Sequence, residues 1–136
     1  MIHIIMGLKG SGKTKKMLDA IHAAVDAAHG DVVCIEYGKK LTYDVTYKVR
    51  LVDSKEYGIK SPEMLKGFIS GLHAGNFDIS HIFIDGLYKL SGTKEPADTA
   101  AFLEWCEAFG NANKMEFTIS ISDDIAALPA EITKYL

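Results

Sequence analysis

The feature that most constrains the fold is the segment Gly7–Thr14, GLKGSGKT, which directly follows the apolar run Ile2–Met6. It matches the pattern G-x-x-x-x-G-K-[ST] at every position. In this pattern glycines let backbone N–H groups converge on phosphate oxygens, while the lysine reaches the outer phosphates and the hydroxyl is available to Mg²⁺. The segment therefore predicts a buried strand that turns into a helix at a phosphate site. The candidate binding residues are Gly7, Leu8, Lys9, Gly10, Ser11, Gly12, Lys13 and Thr14.

Length and composition predict one domain spanning residues 1–136. Hydrophobic residues make up 48% of the 136 residues and charged residues 24%, which is ordinary for a globular chain with its own core. A net charge of −3 gives no reason to expect general binding to nucleic acid or to an anionic membrane. Arg50 is the only arginine. A phosphoryl-transfer reaction that needs an arginine could draw it only from Arg50 or from another chain.

The cysteines and the N-terminal residues indicate the cellular compartment in which the protein is expected. Cys34 and Cys106 lie far apart within apolar stretches, which favours two core thiols in a reducing compartment over a disulfide or a metal pair. The first apolar run is too short for a membrane span and has no basic segment before it, so no signal peptide is expected. These features together predict a cytoplasmic protein. The five histidines have no metal-ligand spacing and are interpreted as surface or strand-end residues.

Periodicity and capping residues predict strands and helices in alternation. Ser61-Pro62-Glu63 is a typical helix start, and Gly75-Asn76 a typical end. Apolar residues at helical spacing predict helices at 13–29, 62–75 and 96–109, with a short final helix after Pro129. β-branched or alternating runs predict strands at 32–37, 47–53, 79–85 and 115–122. The direction of the strand at 47–53 stays open, because about ten residues separate it from its predecessor and a parallel crossover usually needs more.

Alternating strands and helices predict an α/β fold with three layers and a mainly parallel sheet of about five strands. Ligands of such folds bind beyond the carboxyl ends of the strands. Four groups of residues are expected there: Gly7–Thr14, Glu36–Lys40, Asp85–Tyr88 and Ser122–Asp124. The strand His81–Ile84 ends in Asp85, which we expect to hold Mg²⁺ opposite Thr14. Leu87, Tyr88 and Trp105 are candidate contact points that fit the core equally well.

The loop Gly7–Thr14 together with Asp85 resembles a P-loop NTPase, with Asp85 in the position of a Walker B aspartate. The order of elements is most similar to the RecA-like and thymidine-kinase-like branch. Nearly the full chain also resembles short stand-alone bacterial P-loop proteins labelled ATP-binding or twitching-motility-type ATPases. The resemblance implies ATP and Mg²⁺ as cofactors, Lys13 and Glu36 as catalytic residues, and Thr14 and Asp85 as metal ligands. Glu36 could instead pair with Lys39, Lys40 or Lys48.

The sequence departs from this resemblance in several places. Gly86 follows Asp85, where many hydrolytic relatives have a glutamate, and the cysteines of a thymidine-kinase zinc lasso are absent. Lys9 is third in the loop rather than second, which favours a solvent or γ-phosphate contact over a dimer-crossing role. Ser122 could act as a polar sensor or as a turn hydroxyl. Asn113-Lys114 is not followed by the residues of a guanine signature, so ATP is the expected nucleotide.

Three functions are compatible with these observations. The first is a slow Mg²⁺-dependent ATPase that needs self-assembly or a protein partner, since Glu is missing after Asp85 and only one arginine is present. The second is a nucleotide-dependent switch or binding module without catalysis. The third is a small-molecule kinase of the nucleoside type, which lacks an evident lid domain or an arginine clamp for its acceptor.

Overall fold

Strands and helices alternate along the chain in the computed structural model, which describes residues 1–8, 10–27, 29–39 and 48–136. The strands are β1 (Ile2–Met6), β2 (Asp31–Glu36), β3 (Val49–Asp53), β4 (Ile79–Asp85) and β5 (Glu116–Ile121). The α-helices are α1 (Lys13–Ala27), α2 (Pro62–Gly75), α3 (Leu87–Ser91), α4 (Pro96–Asn113) and α5 (Ala130–Thr133). Two 3₁₀ turns follow strand ends, at Ser54–Tyr57 and Ile125–Ala127.

The five strands form one sheet in the order β1-β5-β4-β2-β3, and every pairing is parallel. The α/β fold with a sheet of about five strands is therefore confirmed. The direction of β3, which the sequence left open, is parallel to β2. The strand begins at Val49, and Tyr47, the first residue of the predicted strand, lies outside the described residues. Because all strands run the same way, their carboxyl ends meet at one edge of the sheet.

Helices cover both faces of the sheet. Buried residues of α1, Met17 and Ile21, pack with one set of strand side chains: Val32, Cys34, Val49 and Phe83. On the other face α2, α4 and α5 enclose a larger apolar cluster that includes Leu65, Ile69, Phe102, Leu103 and Ile132. Each fully buried Leu, Ile or Phe side chain contributes about 1.5–3 kcal/mol relative to an exposed one. Among the described helices, only α1 contributes side chains to the smaller cluster, and this helix directly follows the loop Gly7–Thr14.

Local signals place most helix ends. Ser61 Oγ accepts a hydrogen bond from the Met64 N–H at 3.1 Å, and Pro62 occupies the first turn, which together start α2 as predicted. The predicted first helix ends at Ala27 rather than at residue 29, and Ala28 is outside the described residues. Helix α4 runs on to Asn113, beyond the predicted end at Phe109, and stops where Lys114 takes a left-handed φ of 56°.

Several side chains have clear positions in the core. Cys34 and Cys106 are both free and buried, as predicted. Leu87 and Tyr88 are 1% and 9% exposed and belong to the main apolar cluster, so of their two possible roles the structure supports the core. Trp105 is half-buried, and its ring stacks on that of Phe109 with centroids 4.8 Å apart. Within the described ranges no helix combines the length and apolar character needed to cross a bilayer.

One histidine does not fit the interpretation of surface or strand-end residues. His81 lies within β4, with its side chain 12% exposed and its ring stacked on Phe83 at 4.2 Å. Its Nε2 is 2.8 Å from the Thr118 hydroxyl. Burial lowers the pKa of His81 to about 4, against the opposing effect of the Glu116 carboxylate. The ring is therefore neutral near pH 7 and acts as part of the core.

Candidate functional site

The loop Gly7–Thr14 connects the carboxyl end of β1 to the first turn of α1, as the sequence predicts. The Ser11 N–H donates to the Leu8 carbonyl at 3.0 Å, which closes a turn within the loop. A side chain at Gly7 would collide with Ser11 Oγ, so this position requires glycine. Gly12, at φ +88°, has a left-handed backbone just before the helix begins at Lys13. Lys9 lies outside the described residues.

The amino end of α1 is suited to an anion. This helix has 15 residues, and its first turn contains no acidic side chain. Unpaired N–H groups and the helix dipole both favour negative charge at such an end. Lys13 stands at the first helical position and is partly buried, whereas Thr14 and Lys16 are exposed. Lys15 is engaged with Asp19, its Nζ 2.8 Å from the carboxylate. The loop and the helix start therefore offer N–H groups, a hydroxyl and ammonium groups at one place.

Asp85 is held by a hydroxyl from the neighbouring strand. Ser120 Oγ donates to Asp85 Oδ1 at 2.9 Å and accepts from the Gly86 N–H at 2.8 Å. Ser120 is 2% exposed, and its register partner in β1 is Ile5. Asp85 itself is partly exposed, and its Oδ2 makes no hydrogen bond to the described residues. One carboxylate oxygen is thus fixed in place, while the other has no hydrogen-bond partner among the described residues.

Ser120, rather than Ser122, is the polar residue of this strand that contacts Asp85. Ser122 follows the end of β5 and is exposed. The alternation Thr118, Ser120, Ser122 was visible in the sequence as one polar face of a strand. Which of the three would contact Asp85 depends on the pairing of β4 with β5, where Ile84 is opposite Ile119. That register could not be read from the sequence.

Glu36 ends β2 at the same edge of the sheet. It is 1% exposed and is the register partner of both Asp85 in β4 and Asp53 in β3. Burial raises the pKa of the Cys34 thiol well above its usual value, and the negative charges of Asp85 and Glu36 add to this effect. Both carboxylates therefore lie close to the face of the sheet that α1 covers. The structure brings Glu36 and Asp85 to the same edge of the sheet, as the sequence predicted, and shows in addition that their strands are neighbours.

Two further acidic side chains, Asp53 and Asp123, lie at this edge, and neither had a predicted role. Asp53 Oδ1 accepts from the N–H groups of Gly38 at 2.9 Å and of Lys55 at 3.0 Å. Partial burial opposes ionisation of Asp53, but these two bonds together with the charges of Lys55 and Lys39 outweigh it, and the pKa is lowered. Asp123 accepts from the Tyr88 hydroxyl at 3.0 Å; burial, and then this bond, raise the pKa of Tyr88 to about 12. Both carboxylates are occupied in fixing the loops that surround the site.

The contact of Ser120 with Asp85 leads to a stability prediction. Ser120→Ala removes the acceptor of the Gly86 N–H and the donor to Asp85 in a buried place, so we expect the free energy of unfolding to fall by about 1–3 kcal/mol. Ser122→Ala is the matched control, because this exposed hydroxyl should change stability by no more than about 0.5 kcal/mol. Urea denaturation of the two variants measures both effects. Equal losses in the two variants would contradict the role given to Ser120.

The residues that could hold a metal are few. The described part of the chain contains no group of three or more His, Cys, Asp or Glu side chains arranged to bind a metal ion. A protein-only metal cage is therefore not formed by these residues. One carboxylate and one hydroxyl, as in Asp85 and Thr14, are nevertheless the kind of donors that Mg²⁺ takes when phosphates and water supply the remaining oxygens. The free Oδ2 of Asp85 fits this arrangement.

Fold and site together define an α/β protein with an all-parallel five-stranded sheet, whose glycine-rich loop and acidic strand ends share one edge. Comparison with models of known protein families gives no match, and comparison with curated proteins gives none.

Proposed function

We propose that this chain is an ATP-binding P-loop protein, and that it acts as a slow Mg²⁺-dependent ATPase that needs self-assembly or a protein partner. The observation that carries the proposal is the junction at Gly7–Thr14, where a loop with the complete G-x-x-x-x-G-K-[ST] pattern leads from β1 into the amino end of α1. Two acidic strand ends, Glu36 and Asp85, lie at the same edge of the sheet. The groups proposed to bind phosphate and metal are thus at one edge of the sheet.

Each group has a role in the proposed site. Backbone N–H groups of the loop and Lys13 bind the β- and γ-phosphates, and Thr14 and Asp85 hold Mg²⁺. Magnesium supplies charge neutralisation at the phosphates when it is bound. Ser120 orients Asp85 through the bond at 2.9 Å. Glu36, buried beside Asp85, positions the attacking water or accepts its proton.

The need for a partner rests on two features. Asp85 is followed by Gly86, so no carboxylate is present at that position to orient an attacking water. The Gly86 N–H donates to Ser120 Oγ. Arg50, the only arginine, lies three residues before Asp53 in β3. An odd separation along a strand directs the Cβ atoms of Arg50 and Asp53 to opposite faces of the sheet, although both residues line one cavity beside β3 together with Glu36. In this proposal the arginine at the transition state comes from a second chain.

Asp85→Asn tests the metal role. The amide keeps an oxygen for the Ser120 hydroxyl but has no negative charge for Mg²⁺, so we expect ATP to bind without the gain that Mg²⁺ gives the wild-type protein. The affinity for Mg-ATP should fall about tenfold or more, which corresponds to about 1.4 kcal/mol. Isothermal titration with ATP, with and without Mg²⁺, measures this difference.

Asp124→Asn is the control for this experiment. Asp124 is exposed near the same edge, and its side chain caps the turn Ile125–Ala127 through the Ala126 N–H, a bond that asparagine can also make. The effect of Mg²⁺ on ATP affinity should be the same in Asp124→Asn as in the wild-type protein. An unchanged Mg²⁺ effect in Asp85→Asn would contradict the metal role of Asp85. Failure of the wild-type protein to bind ATP would contradict the proposed function as a whole.

The second candidate is a nucleotide-dependent switch without catalysis, and Gly86 is the observation that favours it. A protein with this function binds Mg-ATP tightly but releases no phosphate, alone or with partners. Phosphate release measured over a range of protein concentrations separates the two functions. The small-molecule kinase remains a third proposal, and phosphorylation of a metabolite in a screen would support it.

A further inference from the structure

Strand β1 forms one border of the sheet, and its outer side is not paired with any described strand. Met1 O accepts from the Phe117 N–H, so the backbone groups of the odd-numbered residues of β1 point toward β5. N–H and C=O groups alternate in direction along a strand, and those of Ile2, Ile4 and Met6 therefore point outward. The border presents three residues with both a donor and an acceptor available for another strand.

This border lacks the charged side chains and prolines that often protect an edge strand. The sequence of β1 is IHIIM, which contains no lysine, proline or glycine and no side chain with a permanent charge. The opposite border, β3, carries Arg50 and Asp53 among its five residues. Natural sheets commonly block their edges with charges, prolines or bulges, because an apolar and regular edge pairs readily with another strand. The two borders are thus different, and β1 is the one suited to pairing.

A groove runs beside β1 on the side of the C-terminal residues. It encloses about 310 Å³ and is lined by Met1–Ile4 together with Glu107, Lys134, Tyr135 and Leu136. Tyr135 is 9% exposed, and its buried hydroxyl has no hydrogen-bond partner in the described part of the chain. Leu136 is 55% exposed at the rim of the groove. The groove offers a partner apolar contact, whereas the Tyr135 hydroxyl is enclosed by the chain's own atoms.

We propose that the outer side of β1 binds β1 of a second copy of this chain, in antiparallel orientation about a two-fold axis, so that two sheets join into one of ten strands. An axis through Ile4 pairs Ile4 with Ile4 of the second copy and Ile2 with Met6 of the second copy. These are the residues whose N–H and C=O groups point outward, so every outward group of the strand gains a partner. A strand that matches itself in this way meets the self-complementarity that a two-fold interface requires.

Side-chain chemistry also favours a second copy as the occupant. Ile2, Ile4 and Met6 lie on the sheet face that packs on the larger apolar cluster. A two-fold axis perpendicular to the sheet keeps this face on the same side in both copies, so apolar side chains of one copy stand beside apolar side chains of the other. Glu107 and Lys134, which carry opposite charges, line the same groove, so the joined groove has no net charge from these two residues.

The pairing does not depend on nucleotide binding. Antiparallel strands place their carboxyl ends at opposite ends of the pair, so the two loops that follow Met6 would lie apart rather than in one shared site. The oligomeric state of the ATP-free protein is therefore the measurement that tests the pairing, while ATP titration tests the proposed function. If the pairing of β1 is contradicted, the proposed ATP binding is unaffected, and the converse also holds.

The experiment is light scattering coupled to size exclusion, without nucleotide and over a range of concentrations. The wild-type protein should have twice the mass of the 14.9 kDa chain at the higher concentrations. Ile4→Pro removes an outward N–H while leaving the bonds to β5 in place, since proline is tolerated where the N–H of an edge strand faces away from its neighbour. This variant should be a monomer, and Ile4→Val, which keeps the N–H, should remain a dimer.

Leu136→Asp provides a second variant that does not alter the strand. This exposed side chain lines the groove beside β1, and an aspartate there would put a negative charge next to the apolar border at which the second copy is proposed to bind. Ile125→Asp is its matched control, because Ile125 is 53% exposed but lies outside the residues that line the groove. A monomer for Leu136→Asp and a dimer for Ile125→Asp support the proposal. A wild-type monomer at every concentration, or dimers for both Ile4→Pro and Leu136→Asp, would overturn it.

Discussion

Lys13→Ala is expected to abolish the thermal stabilisation that ATP gives to the wild-type protein. A ligand that binds only the folded state at 100 times its Kd stabilises it by about 2.7 kcal/mol. For a domain of this size that corresponds to a rise in Tm of roughly 10 °C. Lys13 begins α1 directly after Gly12, where its ammonium group serves the outer phosphates in the proposed site. Differential scanning fluorimetry with and without Mg-ATP measures the difference between the two proteins.

Lys16→Ala is the matched control for this prediction. Lys16 is one turn further along the same helix and is exposed, and its N–H bonds to the Gly12 carbonyl irrespective of the side chain. The variant loses the same charge near the same site, so it separates a specific contact from a general electrostatic effect. We expect it to keep most of the ATP-dependent rise in Tm. Equal losses in the two variants would show that the ammonium of Lys13 has no special role.

Glu36→Gln is expected to reduce the rate of ATP hydrolysis by at least about 100-fold, which is the usual contribution of a positioned general base. The amide is nearly the same size as the carboxylate in a site where the side chain is 1% exposed, so the fold should be retained. Binding of Mg-ATP should change little, because the proposed role of Glu36 is toward the attacking water. A single-turnover assay and a binding titration on the same sample separate these two effects.

Glu56→Gln is the control for Glu36→Gln. Glu56 is an exposed carboxylate near the same end of β3, and its Oε1 lies 3.1 Å from the Lys39 ammonium. Its loss should leave hydrolysis unchanged. If Glu36→Gln hydrolyses ATP at the wild-type rate, Glu36 has no part in catalysis and its carboxylate has only a structural role. Absence of hydrolysis in the wild-type protein under every condition would favour the switch.

Local interactions explain which parts of the fold could be predicted. The cap at Ser61 and the proline after it act within one turn of α2, so a few residues of sequence contain the whole signal. The long end of α4 was missed for the opposite reason. Cys106 and Gly110 in its last turns are buried by tertiary packing, which extends a helix beyond the point where local preferences favour it.

The candidate site likewise contains residues that could be predicted from local sequence and residues that could not. Gly7–Thr14 could be picked out as a candidate because the residues proposed to contact a phosphate are consecutive in the chain, and Asp85 because it ends an apolar strand. The role of Ser120 could not be recognised from the sequence. A bond between residues 35 positions apart depends on which strands are neighbours and on their register. The unprotected border of β1 likewise becomes visible only when the order of the strands is known.

The sequence by itself determined a chain of alternating strands and helices with a loop of the G-x-x-x-x-G-K-[ST] pattern after the first strand, because periodicity, caps and loop composition are local properties. The tertiary structure decided that β5 lies between β1 and β4, that Glu36 and Asp85 are adjacent, and that β1 is a border. These relations follow from the burial of two faces of one sheet, to which residues from the whole chain contribute. No single stretch of sequence contains that information.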